Sequence, residues 1–125
     1  INPNLAEAHN NLGTILASLG QSKEAELSTR KAIEINPNLA EAHDNLGKIL
    51  KDLGNLKEAK ISIKKAIELK PDYPFSHYTL SLIYSLENNY KKAYEEIELA
   101  IKSNPSNHIF KGELNRLKLI MDQND

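Results

Sequence analysis

The sequence predicts an all-α fold of stacked helical pairs, on three observations. The chain repeats itself every 34 residues: Ile1–Glu34 and Ile35–Glu68 are identical at 24 of 34 aligned positions, and Leu69–Lys102 keeps Pro71, His77, Leu80, Ile83, Ala93, Ile97, Ala100 and Ile101 in phase. Apolar residues inside each period recur at steps of three and four, and no alternating strand pattern occurs. Glycine, asparagine and proline fall at matching places of the period. A period of about 20–50 residues marks supersecondary units that stack on one another rather than closing round one core.

Each period resolves into two helices. The expected spans are 5–19 and 22–35, 39–53 and 56–69, 73–86 and 90–103, and a last helix over 107–122. In the second copy Leu39, Ala42, Leu46, Ile49, Leu50 and Leu53 make one apolar stripe, the signature of a helix with one buried face. Gly54 closes that helix, since a residue without Cβ takes the left-handed conformation most readily. Ala59, Ile63, Ala66 and Ile67 make the second stripe, and Pro71 blocks its extension. Asn4 and Glu7, Asn38 and Glu41, and Asn55 and Glu58 have the spacing of capping boxes at helix starts. Small residues (Ala8, Gly13, Ala25 and Ala32, with Ala42, Gly47, Ala59 and Ala66 one period on) are expected where helices face each other. They let the axes approach toward the short end of the usual ~8–10 Å. Leu12, Leu16 and Leu46 are expected to fill the space beside them. In the last helix Phe110, Leu114, Leu117 and Met121 share one face, with Lys111, Arg116 and Lys118 elsewhere, as an end piece that shields a repeat requires. The first helix should leave part of its apolar surface bare. Ile1-Asn2-Pro3 matches Ile35-Asn36-Pro37, so residue 1 reads as a cut inside a longer array.

Bulk composition removes several classes of function. The 125 residues are 40 % hydrophobic and 26 % charged, with a net charge of −1. That balance gives no long-range field toward nucleic acid and no polybasic membrane anchor. No apolar run approaches the ~18 residues of a bilayer span, and no basic-then-apolar leader pattern occurs within these 125 residues. With no cysteine, disulfides and thiolate metal sites are impossible; a reducing, cytoplasmic location is the expectation.

The arrangement resembles the tetratricopeptide repeat. The family's signature positions read His9, Leu12-Gly13, Leu16, Gly20, Ala25, Thr29, Ala32 and Pro37 in the first copy. They read His43, Leu46-Gly47, Leu50, Gly54, Ala59, Ile63, Ala66 and Pro71 in the second, and His77, Leu80-Ser81, Tyr84, Asn88, Ala93, Ile97, Ala100 and Pro105 in the third. Histidine stands where an aromatic is usual, Thr29 is polar, and Ser81 and Asn88 replace both glycines of the third copy. The resemblance implies an α-solenoid of helix-turn-helix repeats wound as a right-handed superhelix. Its repeats fall at 1–34, 35–68 and 69–102, with a C-terminal capping helix in 103–125.

Candidate chemistry is sparse. His9, His43 and His77 recur at a fixed interval, but equivalent residues of adjacent repeats lie ~8–10 Å apart, whereas zinc holds its ligands at ~2.0–2.1 Å. They read as packing residues between paired helices, and no metal or cofactor is expected. No nucleophile constellation or phosphate-binding loop occurs, so no catalytic residue is assigned and no enzyme activity is expected. Lys57, Lys60 and Lys64 line one helix face without interleaved aromatics, which reads as a solvated face rather than a nucleic-acid site. Glu95, Glu96 and Glu98 mix with lysines in the same way.

In this family the first helix of each repeat lines a concave groove. The resemblance puts Glu7, Asn10, Asn11, Thr14 and Ser18 there in the first copy, and Glu41, Asp44, Asn45, Lys48 and Asp52 in the second. The third contributes Phe75, Tyr78, Thr79, Leu82 and Leu86, so a polar floor gives way to an apolar, aromatic patch. Phe75 and Leu82 fit either a ligand or packing beneath the last helix. Asn11 and Asn45 could each grip a peptide unit through carboxamide donor and acceptor. At ~8–10 Å apart they match about three residues of extended chain at ~3.3 Å each. Their position is similar to the asparagine ladder of O-linked N-acetylglucosamine transferases, which Thr79 interrupts here; local hydrogen bonding is the alternative. The family's carboxylate clamp for chaperone C-termini needs lysine, asparagine, asparagine, lysine and arginine where this chain has Asn10, Thr14, Asn45, Phe75 and Thr79. That clamp is rejected.

The function expected is a protein-interaction scaffold that binds a peptide segment through Asn11, Asn45, Asp44, Lys48, Phe75, Tyr78 and Leu82. Two alternatives stand beside it: an assembly segment that self-associates through its bare first repeat, giving a homo-oligomer, and the recognition arm of a larger enzyme. Neither nucleic acid nor membrane is an expected partner.

Overall fold

The computed structural model describes residues 4–123, among which seven α-helices and no strand occur. They are α1 (Asn4–Ser18), α2 (Ser22–Ile35), α3 (Ala40–Asp52), α4 (Leu56–Leu69), α5 (Pro74–Leu86), α6 (Tyr90–Ser103) and α7 (His108–Gln123). Every predicted helix exists, with ends displaced by a residue or so. The match of Ile1-Asn2-Pro3 to the repeat lies outside the described residues. Contacts divide the chain into two compact units, Ile1–Lys70 and Pro71–Asp125.

In the first unit α1 packs on α2, α3 on α4, and α3 also against α2 and α1. Its interior holds Ala25, Ala32, Ala42, Ala59 and Ile63, all at 0 % exposure, with Leu46, Ile49 and Leu50 beside them. Gly13 and Gly47 set the spacing within each pair. A Cβ at Gly47 would collide with the Ile63 side chain and lie 3.2 Å from the Ala59 carbonyl. One at Gly13 would collide with Thr29 and lie 3.3 Å from the Ala25 carbonyl. Close helix approach is therefore built from glycine on one helix and alanine on the other.

In the second unit α5 packs on α6, and α6 on α7. Leu80, Ile83, Ala93, Ile97, Ala100, Phe110 and Leu117 form its core. Ser81 stands where the other copies have glycine. Its hydroxyl donates to the Ala93 carbonyl at 2.7 Å, the carbonyl equivalent to those facing Gly13 and Gly47. A polar contact has replaced a steric gap.

The turns inside the pairs share one geometry. After α1, α3 and α5, Gly20, Gly54 and Asn88 take φ of 80°, 85° and 62°. Gln21, Asn55 and Asn89 then donate their N–H back to Leu16, Leu50 and Tyr84 at 2.8–2.9 Å, which is the Schellman closure. Second helices end on bonds from Asn36, Lys70 and Asn104 to Ala32, Ala66 and Ala100, each followed by proline.

Two expectations fail. At Asn38 and Glu41, and at Asn55 and Glu58, the spacing does not produce capping boxes: Leu39 and Asn55 are the N-cap residues of α3 and α4, and neither makes a side-chain capping bond. Asn38 lies one residue too early, its N–H held by the Asn36 side chain in an Asx turn. Asn89, unremarked in the sequence, does cap α6, accepting from the Lys92 N–H at 3.4 Å. Ala8 and Leu12 are exposed rather than packed between helices. Their counterparts Ala42 and Leu46 are buried, so position in the stack, not residue type, decides their burial.

Candidate functional site

The predicted binding residues divide between the two units. Asn11, Asn45, Asp44 and Lys48 belong to the first, on α1 and α3; Phe75, Tyr78 and Leu82 belong to the second, on α5.

In the first unit α1 and α3 lie side by side and their polar residues interlock. Asn45 donates through Nδ2 to Asn10 Oδ1 at 2.8 Å and to Thr14 Oγ1 at 3.0 Å. The Thr14 hydroxyl in turn donates to the Asn10 carbonyl at 3.2 Å. Asn45 therefore spends both amide donors on α1 and keeps Oδ1 as its outward function. Asn11 is exposed. The two asparagines are equivalent in sequence and unlike in setting, because α1 braces Asn45. Asp44 is buried at 4 % exposure, and Lys48 Nζ pairs with it at 2.9 Å. A carboxylate desolvated to that degree needs such a partner, which makes the ammonium of Lys48 largely committed.

The apolar residues of the second unit are half-buried. Phe75 meets Phe110 of α7 edge-on at 5.2 Å, and Tyr78 meets the same ring at 5.3 Å. Tyr73 continues the cluster, 5.6 Å from Phe75. Phe110 itself is fully buried, so these two α5 aromatics pack on the last helix. Burial pushes the Tyr78 phenol above its ordinary pKa, the Glu113 carboxylate adds to the rise, and Arg116 opposes it.

Glu113 and Arg116 were missed by sequence reasoning. Arg116 grips the buried Glu113 carboxylate through Nε and Nη2, both at 2.7 Å, and donates from Nη2 to Ser85 Oγ at 2.7 Å. The bond to Glu113 holds the guanidinium firmly in its charged form. A signal for both was present in the 34-residue period: Glu113 follows Asn11, Asn45 and Thr79, and Arg116 follows Thr14, Lys48 and Leu82. So α7 runs in phase as a further first helix, where the sequence suggested an end piece.

The histidines are engaged singly. His43 Nε2 donates to the Pro37 carbonyl at 2.8 Å, and His77 Nδ1 donates to Glu96 Oε2 at 2.7 Å. The His9 carbonyl accepts from Ser28 Oγ at 2.8 Å. Among the described residues no group of three histidine or carboxylate side chains converges as a metal site, and no helix is long and apolar enough to cross a membrane.

Models of the tetratricopeptide repeat match residues 6–39, 40–73 and 76–107. The chain belongs to the tetratricopeptide repeat family. Solved structures agree with it in fold. The human RPAP3 first tetratricopeptide domain has a TM-score of 0.93 at 16 % identity, covering 98 % of this chain and 96 % of that one. The first such domain of Spaghetti (RPAP3), solved bound to the HSP90 peptide SRMEEVD, has a TM-score of 0.91 at 16 % identity, covering 98 % and 97 %. MamA has a TM-score of 0.84 at 25 % identity, covering 93 % of this chain and 68 % of that one. No curated protein sequence matches the chain. These likenesses put the fold in the all-α, helical-repeat solenoid class, and the family supports a protein–protein interaction scaffold. Tetratricopeptide repeats are generally non-catalytic interaction modules.

Proposed function

We propose that this chain is a non-enzymatic scaffold whose first helices bind a peptide segment. In the first unit Asn11 and Asn45 offer a polar contact face, beside which Lys48 is paired with the buried Asp44 and so withdrawn from it; in the second, Phe75, Tyr78 and Leu82 offer an apolar one. One observation carries the reading: Asn45 is fixed by two hydrogen bonds to α1 and keeps its carbonyl oxygen outward. A peptide N–H can bond to it without ordering the side chain, and such preorganisation removes an entropic penalty of binding. Phe75 and Tyr78 are held against Phe110 and present their remaining surface as rigid anchors.

The acidic heptapeptide seen on the RPAP3 neighbour is not the expected ligand. The basic positions of a carboxylate clamp are Asn10, Phe75 and Thr79 here, and Lys48 is already paired with Asp44. The test is panning of a random displayed peptide library on the chain, followed by titration of the selected peptides into isotope-labelled protein. Amide shifts should fall on α1, α3 and α5, and SRMEEVD should cause none. Shifts confined to α2, α4 and α6 overturn the reading.

Self-association through the first repeat is a second reading, favoured by the exposure of Leu5, Leu12, Ile15 and Leu19 on α1.

A further inference from the structure

A cavity of about 600 Å³ lies among α2, α3 and α4, wholly within the first unit. Packing produces it. α3 lies against both α2 and α4, and those two helices are bridged by Arg30 Nη2 on Glu58 Oε2 at 2.7 Å. Ile33, Leu46 and Ile61 supply apolar walls, while His43 and Ser62 supply uncharged polar ones. None of these residues belongs to the contact faces proposed for a peptide.

Ser62 is 7 % exposed and lines the cavity, yet its hydroxyl bonds to no described residue. Unlike Thr29 Oγ1, its oxygen is not sealed off from solvent. His43 gives Nε2 to the Pro37 carbonyl. A carbonyl only accepts, so Nε2 carries the proton and the neutral ring keeps Nδ1 as a bare acceptor. The other copies close this place. One period earlier Ser28 donates to the His9 carbonyl at 2.8 Å, and one period later Glu96 accepts from His77 Nδ1 at 2.7 Å. Of the three copies the second alone leaves it open, with hydroxyl and imidazole lining one cavity.

Charge and hydrogen bonding narrow the ligand. The charged residues of the lining are matched already: Arg30 with Glu26 and Glu58, Glu34 with Lys31, and Lys65 with Glu68. An ionic ligand finds no unmatched charge there, so a neutral one is favoured. Nδ1 calls for a donor, and Ser62 can give or take a hydrogen bond. One hydroxyl meets both demands. We propose that this cavity binds a small neutral phenol, its hydroxyl donating to His43 Nδ1 and accepting from Ser62 Oγ. The ring lies against Ile33, Leu46 and Ile61. A ring suits the lining better than an alkyl chain does, because Arg30 and Lys65 are present and cations attract an aromatic face. The volume falls within the ~300–1,000 Å³ of small-molecule sites.

The test titrates 4-ethylphenol into isotope-labelled chain, with its methyl ether, 4-ethylanisole, alongside. The phenol should give saturable amide shifts on α2, α3 and α4 and move the His43 Nδ1 resonance. Its dissociation constant should be about 1 mM or tighter, ordinary for so small a ligand. The ether cannot donate and should bind about fivefold more weakly. Ser62→Ala should weaken the phenol about fivefold as well. Ser62→Glu, which installs the group that closes the third copy, should abolish binding, with circular dichroism and melting temperature showing the fold intact. No saturable shift with 4-ethylphenol overturns the site. Equal affinity for phenol and ether, or undiminished binding by Ser62→Glu, overturns it too. Shifts gathered on α5 and α7 would put the phenol on the Phe75, Tyr78 and Phe110 rings, and the proposal would fall.

Discussion

Thr29 Oγ1 is a fully buried hydroxyl with no hydrogen-bond partner among the described residues, wedged against Gly13. The second copy has Ile63 at that place, equally buried. A desolvated, unsatisfied hydroxyl costs about 1–3 kcal/mol, so Thr29→Val should stabilise the fold by about 1 kcal/mol or more. The urea midpoint should rise with an unchanged slope; a fall would show that Thr29 has a partner in solution. Tyr78 gives a second residue-scale prediction, in pH. Its phenol is neutral when protonated, and the folded state raises its pKa by burial above the unfolded value of about 10. Just above that pH the unfolded chain releases the proton while the folded chain keeps it. The contribution is therefore complete below about pH 10 and lost as pH climbs through the folded value. Urea midpoints of Tyr78→Phe should decline less steeply between about pH 9 and 11 than those of the wild-type chain. Parallel curves refute the assignment.

At the scale of elements, the turn after each first helix can be tested in isolation. A Cβ added at Gly54 would meet nothing within 4 Å, so only its φ of 85° opposes substitution. Gly54→Ala should then destabilise by about 1–2 kcal/mol, and Gly54→Asn by less, since Asn88 already serves at φ 62°. Equal losses in thermal melts would mean that something other than backbone conformation is at work. Helix existence and order were legible in the sequence because the period repeats its punctuation, with glycine or, in the third copy, Asn88 after each first helix and proline after each second. Capping was not, because a helix start displaced by one residue moves Asn38 out of the N-cap. Burial of particular side chains was legible only where a neighbour exists: Leu46 packs as expected, Leu12 does not. In the candidate site the residue types were legible and their mutual bonds were not. Nothing in the repeat told that Asn45 would turn its donors on Asn10 and Thr14 while Asn11 stayed exposed. Spacing along a helix gives a face; the bond across to the next helix depends on rotamers that sequence leaves open.

For the whole molecule, charge is the property that summing changes most. The sequence holds 16 lysines and arginines against 17 aspartates and glutamates, for a net charge of −1. Many of these are already paired: Arg30 with Glu26 and Glu58, Lys48 with Asp44, Lys70 with Glu41, Arg116 with Glu113. Pairing leaves little field beyond a Debye length, which is ~10 Å at 0.1 M salt and ~3 Å at 1 M. Binding of a selected peptide should consequently rest on hydrogen bonds and apolar anchors, which salt does not screen. For an uncharged peptide, raising sodium chloride from about 0.05 to 0.5 M should change the dissociation constant by less than about threefold. Asn45→Ala should weaken it about fivefold, the loss of one hydrogen bond of about 1 kcal/mol, at every salt concentration alike. Calorimetric titrations across that range measure both. An affinity that collapses with salt would place the contact on charged outer faces such as Lys57 and Lys64 instead, and the proposed role of the first helices would fall with it.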